Sequence, residues 1–172
     1  MIKNLRIRNF KSWRDTGEVR LAPLTVLFGT NSSGKSSLEQ FFLMLRQTVE
    51  SSDRKLVLHP GDRETAVNLG SFEELVYRRD KSAKLEFSVE WDLSSQLKVT
   101  DPKTQQEWAG SQMSFECNLG MQNGKQMHLG VDRFAYRLMQ GSNSILLNRS
   151  CLAGSVGISF ETIKAFVWPH AP

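Results

Sequence analysis

The sequence predicts an α/β fold in which a glycine-rich loop joins a strand to a helix, followed by an antiparallel β-rich part. Residues 24–28 form a short apolar run of β-forming residues, as a buried strand does. Residues 36–52 repeat apolar side chains at the spacing of a helix. From residue 84 onward apolar and polar side chains alternate with a period of two, which indicates strands with one buried face.

The first residues of the chain predict two more strands. Residues 2–9 alternate apolar side chains with Arg6 and Arg8, residues 10–13 turn the chain, and residues 18–21 form a second short strand. The two arginines fit either the solvated face of an edge strand or a basic surface that meets phosphates or nucleic acid.

The glycine-rich loop contains a complete G-x-x-x-x-G-K-[ST] pattern, which reads Gly29, Thr30, Asn31, Ser32, Ser33, Gly34, Lys35 and Ser36. Its two glycines allow backbone angles that other residues avoid and let the chain approach a ligand closely. The N–H groups of residues 31–36 can converge on an anion, and the following helix adds its positive N-terminal end. Between a strand and a helix, this pattern is typical of a loop that binds a nucleoside triphosphate.

Two side chains carry the specific chemistry of this loop. Lys35 would place a positive charge on the β- and γ-phosphates, and the Ser36 hydroxyl can ligate Mg²⁺. With Ser37 in the first helical turn, the pattern predicts that residues 29–37 bind ATP and Mg²⁺.

The remaining elements divide the chain into two parts. Ser71 and Glu74 fit a capping box for a short helix, and residues 101–111 form a polar loop. The alternation slips in phase near Asp132, as a β-bulge would cause. Alternating positions also predict a last strand near residues 163–167. We expect one packed body over residues 1–172, with a nucleotide-binding unit in residues 1–80 and an antiparallel part in residues 84–168.

Composition restricts the class of protein. The 172 residues fit about one domain, with 40% hydrophobic residues, 23% charged residues and a net charge of +4. No apolar run is long enough for a membrane span, and no signal peptide precedes the first strand, so we expect a cytoplasmic protein without a membrane partner. Cys117 and Cys151 lack the spacing of a metal site and predict buried thiols.

Residues 2–38 read IKNLRIRNFKSWRDTGEVRLAPLTVLFGTNSSGKSSL. This segment resembles the amino-terminal segment of SMC/RecF-like ATPases of the ABC type and, more closely, the bacterial AAA15/OLD-like family of ATPases. The resemblance depends on a strand that begins at residue 2, an Asn-Phe-Lys-Ser corner at residues 9–12, and Asn31 at the third position of the loop. Residues 69–72, Leu-Gly-Ser-Phe, also resemble that family, and the close resemblance ends near residue 75.

The resemblance implies a P-loop NTPase fold, namely the ATP-binding first lobe of an ABC/SMC-type ATPase with an antiparallel β subdomain. It places Asn31 beside the γ-phosphate and the attacking water, and Lys11 near phosphate or base. It also implies a second ATPase lobe or a homodimer partner, and a role in DNA maintenance or phage defence with DNA or an associated nuclease. An alternative stays open for each residue. The alternative for Asn31 is that it only tolerates a left-handed turn, and the alternative for Lys11 is that it lies on a surface corner without a role in binding.

The sequence lacks several parts of a complete ATPase. Hydrolysis needs a carboxylate that holds Mg²⁺ and a group that orients water. Asp132 is the nearest candidate in form but is followed by Arg133, and residues 152–156 have only a passing likeness to an ABC-type signature. The N-K-x-D motif of GTPases does not occur. We therefore expect an incomplete lobe that is inactive alone, the alternatives being a non-catalytic nucleotide-binding regulatory module and a DNA-binding fragment.

Overall fold

A computed structural model describes residues 1–53, 56–100, 105, 107–123, 127–141 and 143–151, without the side chains of residues 143 and 147–151. Within these ranges the chain forms one antiparallel sheet of seven strands: β1 (Ile2–Phe10), β2 (Trp13–Asp15), β3 (Val19–Arg20), β4 (Leu85–Thr100), β5 (Glu107–Gln122), β6 (His128–Gln140) and β7 (Asn143–Cys151). The strand order is β2-β1-β4-β5-β6-β7, and β3 also pairs with β1. Because β1 pairs with β4, the two parts predicted from the sequence share one sheet.

The helical elements are α1 (Lys35–Glu50), the short α2 (Phe72–Leu75) and a 3-10 turn at Tyr77–Arg79. One face of α1 packs on the sheet, where the ring of Phe41 contacts the rings of Phe10 in β1 and Phe87 in β4. None of the described helices is both long and apolar enough to cross a bilayer.

Several features predicted from local pattern are confirmed. Strand β1 and helix α1 form at the expected positions. The capping box of Ser71 and Glu74 is present at the start of α2. In the pairing of β5 with β6, Asn118 faces Arg133 but Leu119 faces Val131, so the residue between them bulges where the phase slip predicted it.

The predicted loop at residues 101–111 is too long, because β5 already begins at Glu107. Thr100 pairs with Glu107, and Val99 pairs with Trp108. This end of the two strands is largely exposed, so its composition is polar although its backbone is paired. The predicted strand near residues 163–167 and the segment 152–156 lie outside the described residues.

The prediction of a buried strand at residues 24–28 is wrong. No strand is assigned there, and the side chains of Leu24 and Phe28 are 82% and 90% exposed. A strand exists only when a neighbouring strand pairs with its N–H and C=O groups, and none of the described strands pairs with this segment. The described part of the chain is therefore a mostly antiparallel sheet with one long helix, and the glycine loop follows an irregular, exposed segment.

The basic face of β1 is partly neutralised by an acid on β2. Arg6 donates from Nε and Nη2 to the two carboxylate oxygens of Asp15 at 3.0 and 2.7 Å, and Arg8 Nε lies 3.0 Å from Asp15 Oδ2. The hydrogen bonds from Arg6 are the largest cause that holds the pKa of Asp15 well below its ordinary value of 3.8, and Arg8 adds to the effect.

We expect this cluster to make stability depend on acid pH. A depressed pKa in the folded state stabilises the protein above the unfolded-state pKa, and this stabilisation is lost as the pH falls toward the folded-state value. The urea midpoint of the wild type should therefore fall more steeply below about pH 4 than that of Asp15→Asn. The effect should be modest, because about a third of the Asp15 side chain is exposed. Glu39→Gln, at an exposed helical position, is the control, and parallel curves for wild type and Asp15→Asn would contradict the prediction.

Candidate functional site

The corner after β1 is held by backbone and side-chain bonds. Asn9 and Lys11 have positive φ angles of 55° and 49°, on either side of the fully buried Phe10. The Asn9 side chain donates to the carbonyl of Lys84 at 3.0 Å, and the Lys11 N–H donates to the carbonyl of Leu75 at 2.6 Å. Since asparagine adopts positive φ more readily than most residues, the Asn-Phe-Lys order suits this tight corner. The corner is thereby fixed to the residue that precedes β4 and to the end of α2.

The glycine loop turns into α1 through two residues with positive φ. Ser32 has φ 63°, and Gly34, the N-cap of α1, has φ 91°. Asn31 is not among the described residues with positive φ, so the alternative that it serves only a left-handed turn is not supported. Its side chain is exposed, and Asn31 is not among the residues that line the cavity beside the loop.

Lys35 closes the loop upon itself. Its ammonium group donates to the carbonyls of Gly29 and Thr30 at 2.9 and 2.7 Å and lies 3.5 Å from the hydroxyl of Ser33. The first residue of the pattern is thus joined to the first residue of the helix. The positive charge of Lys35 is thereby held next to the backbone of the loop.

Each glycine of the pattern lies close to a neighbouring side chain. A Cβ at Gly29 would lie 2.9 Å from the hydroxyl oxygen of Ser33. A Cβ at Gly34 would lie 2.5 Å from Ser12 Oγ and 2.6 Å from Trp13 Nε1, closer than real Cβ contacts. Any side chain at Gly34 would therefore push the loop away from the corner after β1, in addition to the strain of its positive φ.

A cavity of about 180 Å³ opens beside the loop and the first turn of α1. Hydroxyl groups, backbone and one ammonium line it, from Ser12, Ser32, Ser33, Gly34, Lys35, Ser36 and Ser37. Among the described residues no acidic side chain lines it. The N–H groups of Ser33 and Ser37 bond to carbonyls of the loop, whereas those of Lys35 and Ser36 have no hydrogen-bond partner in the part of the chain that the structure describes. Free N–H groups at a helix N-terminus, next to a lysine, favour an anion.

Not every residue singled out in the sequence lies at this cavity. Residues 32–37 line it, and Gly29 and Thr30 bind the Lys35 ammonium. Lys11 is not among the lining residues, although its neighbour Ser12 is. Asp132 lies in the β6 bulge, where it pairs with Lys84 at 2.8 Å, and does not line the cavity. In the described ranges no cluster of three or more His, Cys, Asp or Glu residues could hold a metal ion.

The sequence did not predict that Trp13 contacts the glycine loop. Its indole N–H donates to the carbonyl of Gly34 at 3.0 Å, across 21 positions of the chain. Its place next to the Asn-Phe-Lys-Ser corner gives no sign of this bond, because only the fold brings the corner and the loop together.

Comparison with family models gives a match. Residues 1–132, out of 172, match the family AAA_15, described as an AAA ATPase domain. The matched region runs from β1 through the glycine loop and α1 into β6. No curated protein matches the sequence.

Proposed function

Because the chain belongs to the AAA ATPase domain family, whose members are P-loop ATPases, we propose that it is an ATP-binding lobe in which residues 29–37 hold ATP and Mg²⁺. The observation that supports this most is the cavity of about 180 Å³ at the N-terminus of α1, lined by hydroxyls and the Lys35 ammonium without an acid among the described lining residues. A polyphosphate fits this chemistry because it carries several negative charges and many acceptor oxygens.

The loop residues have separate roles in this proposal. Lys35 binds the β- and γ-phosphates, the unpartnered N–H groups of the first helical turn donate to phosphate oxygens, and the exposed hydroxyl of Ser36 ligates Mg²⁺. Mg²⁺ bound there would supply positive charge that offsets the negative charge of the phosphates. The two glycines let the backbone lie close enough for these contacts.

Asn31 and Lys11 are proposed to act at the rim of the site. The exposed carboxamide of Asn31 has the donor and acceptor groups needed to orient a water molecule. The pKa of Glu74 is lowered mainly by hydrogen bonds from Ser71, and in smaller part by the charges of Arg79 and Lys11. The Lys11 ammonium therefore lies within electrostatic reach of Glu74, and we propose that it meets phosphate or base from there.

Hydrolysis requires a partner in this proposal. No carboxylate of the described residues lines the cavity, so we propose that a second ATPase lobe or a homodimer partner supplies the acid that holds Mg²⁺ and the group that activates water. The exposed apolar segment at residues 24–28 next to the loop gives such a partner a surface to cover. In line with the resemblance to SMC/RecF/OLD-like ATPases, we propose that the assembled protein acts in DNA maintenance or phage defence, on DNA or with an associated nuclease.

Two other functions are distinguished by specific observations. A non-catalytic nucleotide-binding regulatory module is favoured by the absence of an acid among the described residues that line the cavity. A DNA-binding fragment is less favoured, because Arg6 and Arg8 of the basic strand share the carboxylate of Asp15, and Lys3 pairs with Asp92 at 2.9 Å. These pairs reduce the positive charge that would attract nucleic acid.

Calorimetric titration of the purified chain with ATP·Mg²⁺, followed by phosphate release in the same sample, tests the proposal. We expect saturable binding of one ATP and much weaker binding of AMP, which lacks the β- and γ-phosphates that Lys35 would hold. Binding without phosphate release supports an incomplete site that needs a partner, and release that persists at high purity would show that the chain supplies its own catalytic acid. Equal affinity for ATP and AMP, or no binding of either, would contradict the proposed site.

A further inference from the structure

The carbonyl of Gly34 has two hydrogen-bond donors. The indole N–H of Trp13 donates to it at 3.0 Å, and the N–H of Ser37 donates to it at 3.0 Å. These two bonds act on the same carbonyl oxygen. Trp13 opens β2 and is half-buried, paired with Phe10 across the hairpin. The orientation of this one carbonyl is thereby fixed from outside the loop.

The orientation of the carbonyl also determines the orientation of the next N–H group. A peptide unit is planar, and in the trans form its C=O and N–H point in opposite directions; the described chain has no cis peptide bond. When the Gly34 carbonyl points toward Trp13, the Lys35 N–H must point away from Trp13. Lys35 lines the cavity, and its N–H has no hydrogen-bond partner among the described residues.

We infer that Trp13 is a positioning residue for the phosphate site, which holds the Gly34–Lys35 peptide unit so that the Lys35 N–H stays available to an anion in the cavity. This inference rests on the proposed function and deepens it. In this inference Trp13, which lies outside the G-x-x-x-x-G-K-[ST] pattern, stabilises one orientation of a peptide unit inside the pattern.

A positioning residue is needed at this place because glycine is conformationally free. Gly34 has φ 91°, and glycine adopts both signs of φ with little difference in energy. Rotation of the Gly34–Lys35 peptide would turn a carbonyl oxygen toward the cavity and repel a phosphate. Rotation would also break the bonds from Trp13 and Ser37. The indole bond therefore opposes a backbone change that would spoil the anion site.

Trp13→Phe separates this role from simple packing. Phenylalanine retains an aromatic ring at the start of β2 but has no N–H donor. We expect ATP·Mg²⁺ affinity to fall about two- to twelvefold, the range for loss of one neutral hydrogen bond. Trp108→Phe is the matched control, because Trp108 pairs with Val99 on β4 and does not line the cavity. It should leave affinity unchanged.

Proton–nitrogen NMR spectra of the wild type, Trp13→Phe and Trp108→Phe, recorded without ligand and with ATP·Mg²⁺, provide the test. We expect Trp13→Phe to shift or broaden the amide signals of residues 34–36 while most sheet amides keep their positions, and Trp108→Phe to leave the loop signals unchanged. Loop signals and ATP affinity that match the wild type in Trp13→Phe would overturn the inference. A uniform loss of signals in Trp13→Phe would indicate that this variant is unfolded. In that case hydrogen exchange of the wild type tests the inference, because a Trp13 indole proton bonded to Gly34 should exchange slowly with solvent. Fast exchange of that proton would overturn the inference.

The two proposals fail in different ways in this experiment. A wild-type chain that binds no ATP contradicts the proposed function, whereas the ligand-free spectra still show whether Trp13 fixes the loop. ATP binding that is strong and insensitive to Trp13→Phe contradicts only the positioning role.

Discussion

Replacement of Lys35 by Ala is expected to weaken ATP·Mg²⁺ binding about a hundredfold or more and to leave the chain folded. The substitution removes the ammonium proposed to bind the β- and γ-phosphates, and a hydrogen bond to a charged group contributes about 1.5–3 kcal/mol. It also removes the two bonds that close the loop, from Lys35 to the carbonyls of Gly29 and Thr30. Those carbonyls would then be free to turn into the cavity, where they repel phosphate. Both effects reduce affinity.

The measurement is calorimetric titration of Lys35→Ala beside the wild type, with thermal unfolding of both proteins without ligand. Folding should persist, because the recorded hydrogen bonds of the Lys35 side chain lie within the loop itself. Arg46→Ala removes one positive charge from the far part of the same helix, where Arg46 pairs with Glu50 in solvent, and is the control for net charge. ATP affinity that is equal in the wild type and Lys35→Ala would refute the assignment of the site.

Replacement of Phe41 by Ala is expected to destabilise the fold by about 3–5 kcal/mol, the usual range for a buried phenylalanine. Phe41 is fully buried, and its ring centroid lies 5.3 Å from that of Phe10 and 5.2 Å from that of Phe87. Its ring connects α1 to both β1 and β4. Its removal leaves a cavity between the helix and the sheet and loosens the support of the loop that precedes the helix.

Urea unfolding of Phe41→Ala and Phe42→Ala tests this assignment. Phe42 is the neighbouring residue of the same type, but it is only half-buried, so its truncation should cost less than half as much. An equal loss of unfolding free energy in the two variants would mean that the packing of α1 on the sheet does not depend on Phe41.

The parts of the fold that depend on local pattern could be predicted from the sequence. Short segments carry such patterns, because all the residues that define them lie close together in the sequence. Examples are the capping box of Ser71 and Glu74 and the loop at residues 29–36. The bulge at Asp132 could be predicted because side chains alternate strictly along a strand, so that one extra residue shifts every later side chain to the other face.

Features that depend on distant neighbours could not be predicted in this way. The apolar composition of residues 24–28 indicates burial but does not name the strand that would pair with the segment, and none of the described strands does so. The bond from Trp13 to Gly34 joins residues 21 positions apart. The donors of the candidate site were visible in the sequence, whereas the contact that orients one of them required the tertiary structure.

The position of β1 within the sheet has a consequence for synthesis on the ribosome. Strand β1 leaves the exit tunnel well before β4, although it lies between β2 and β4 in the sheet, and Asn4 bonds to Glu90, 86 positions later in the chain. Such distant pairing forms slowly, because a long loop must close first. Leu5 and Ile7 pair with Val89 and Phe87 of β4, so they stay unpaired on that side until β4 has been synthesised. During this time the nascent chain also contains the apolar residues 24–28. The nascent chain should therefore be most prone to aggregation, and most in need of chaperones, before residue 92 has been released.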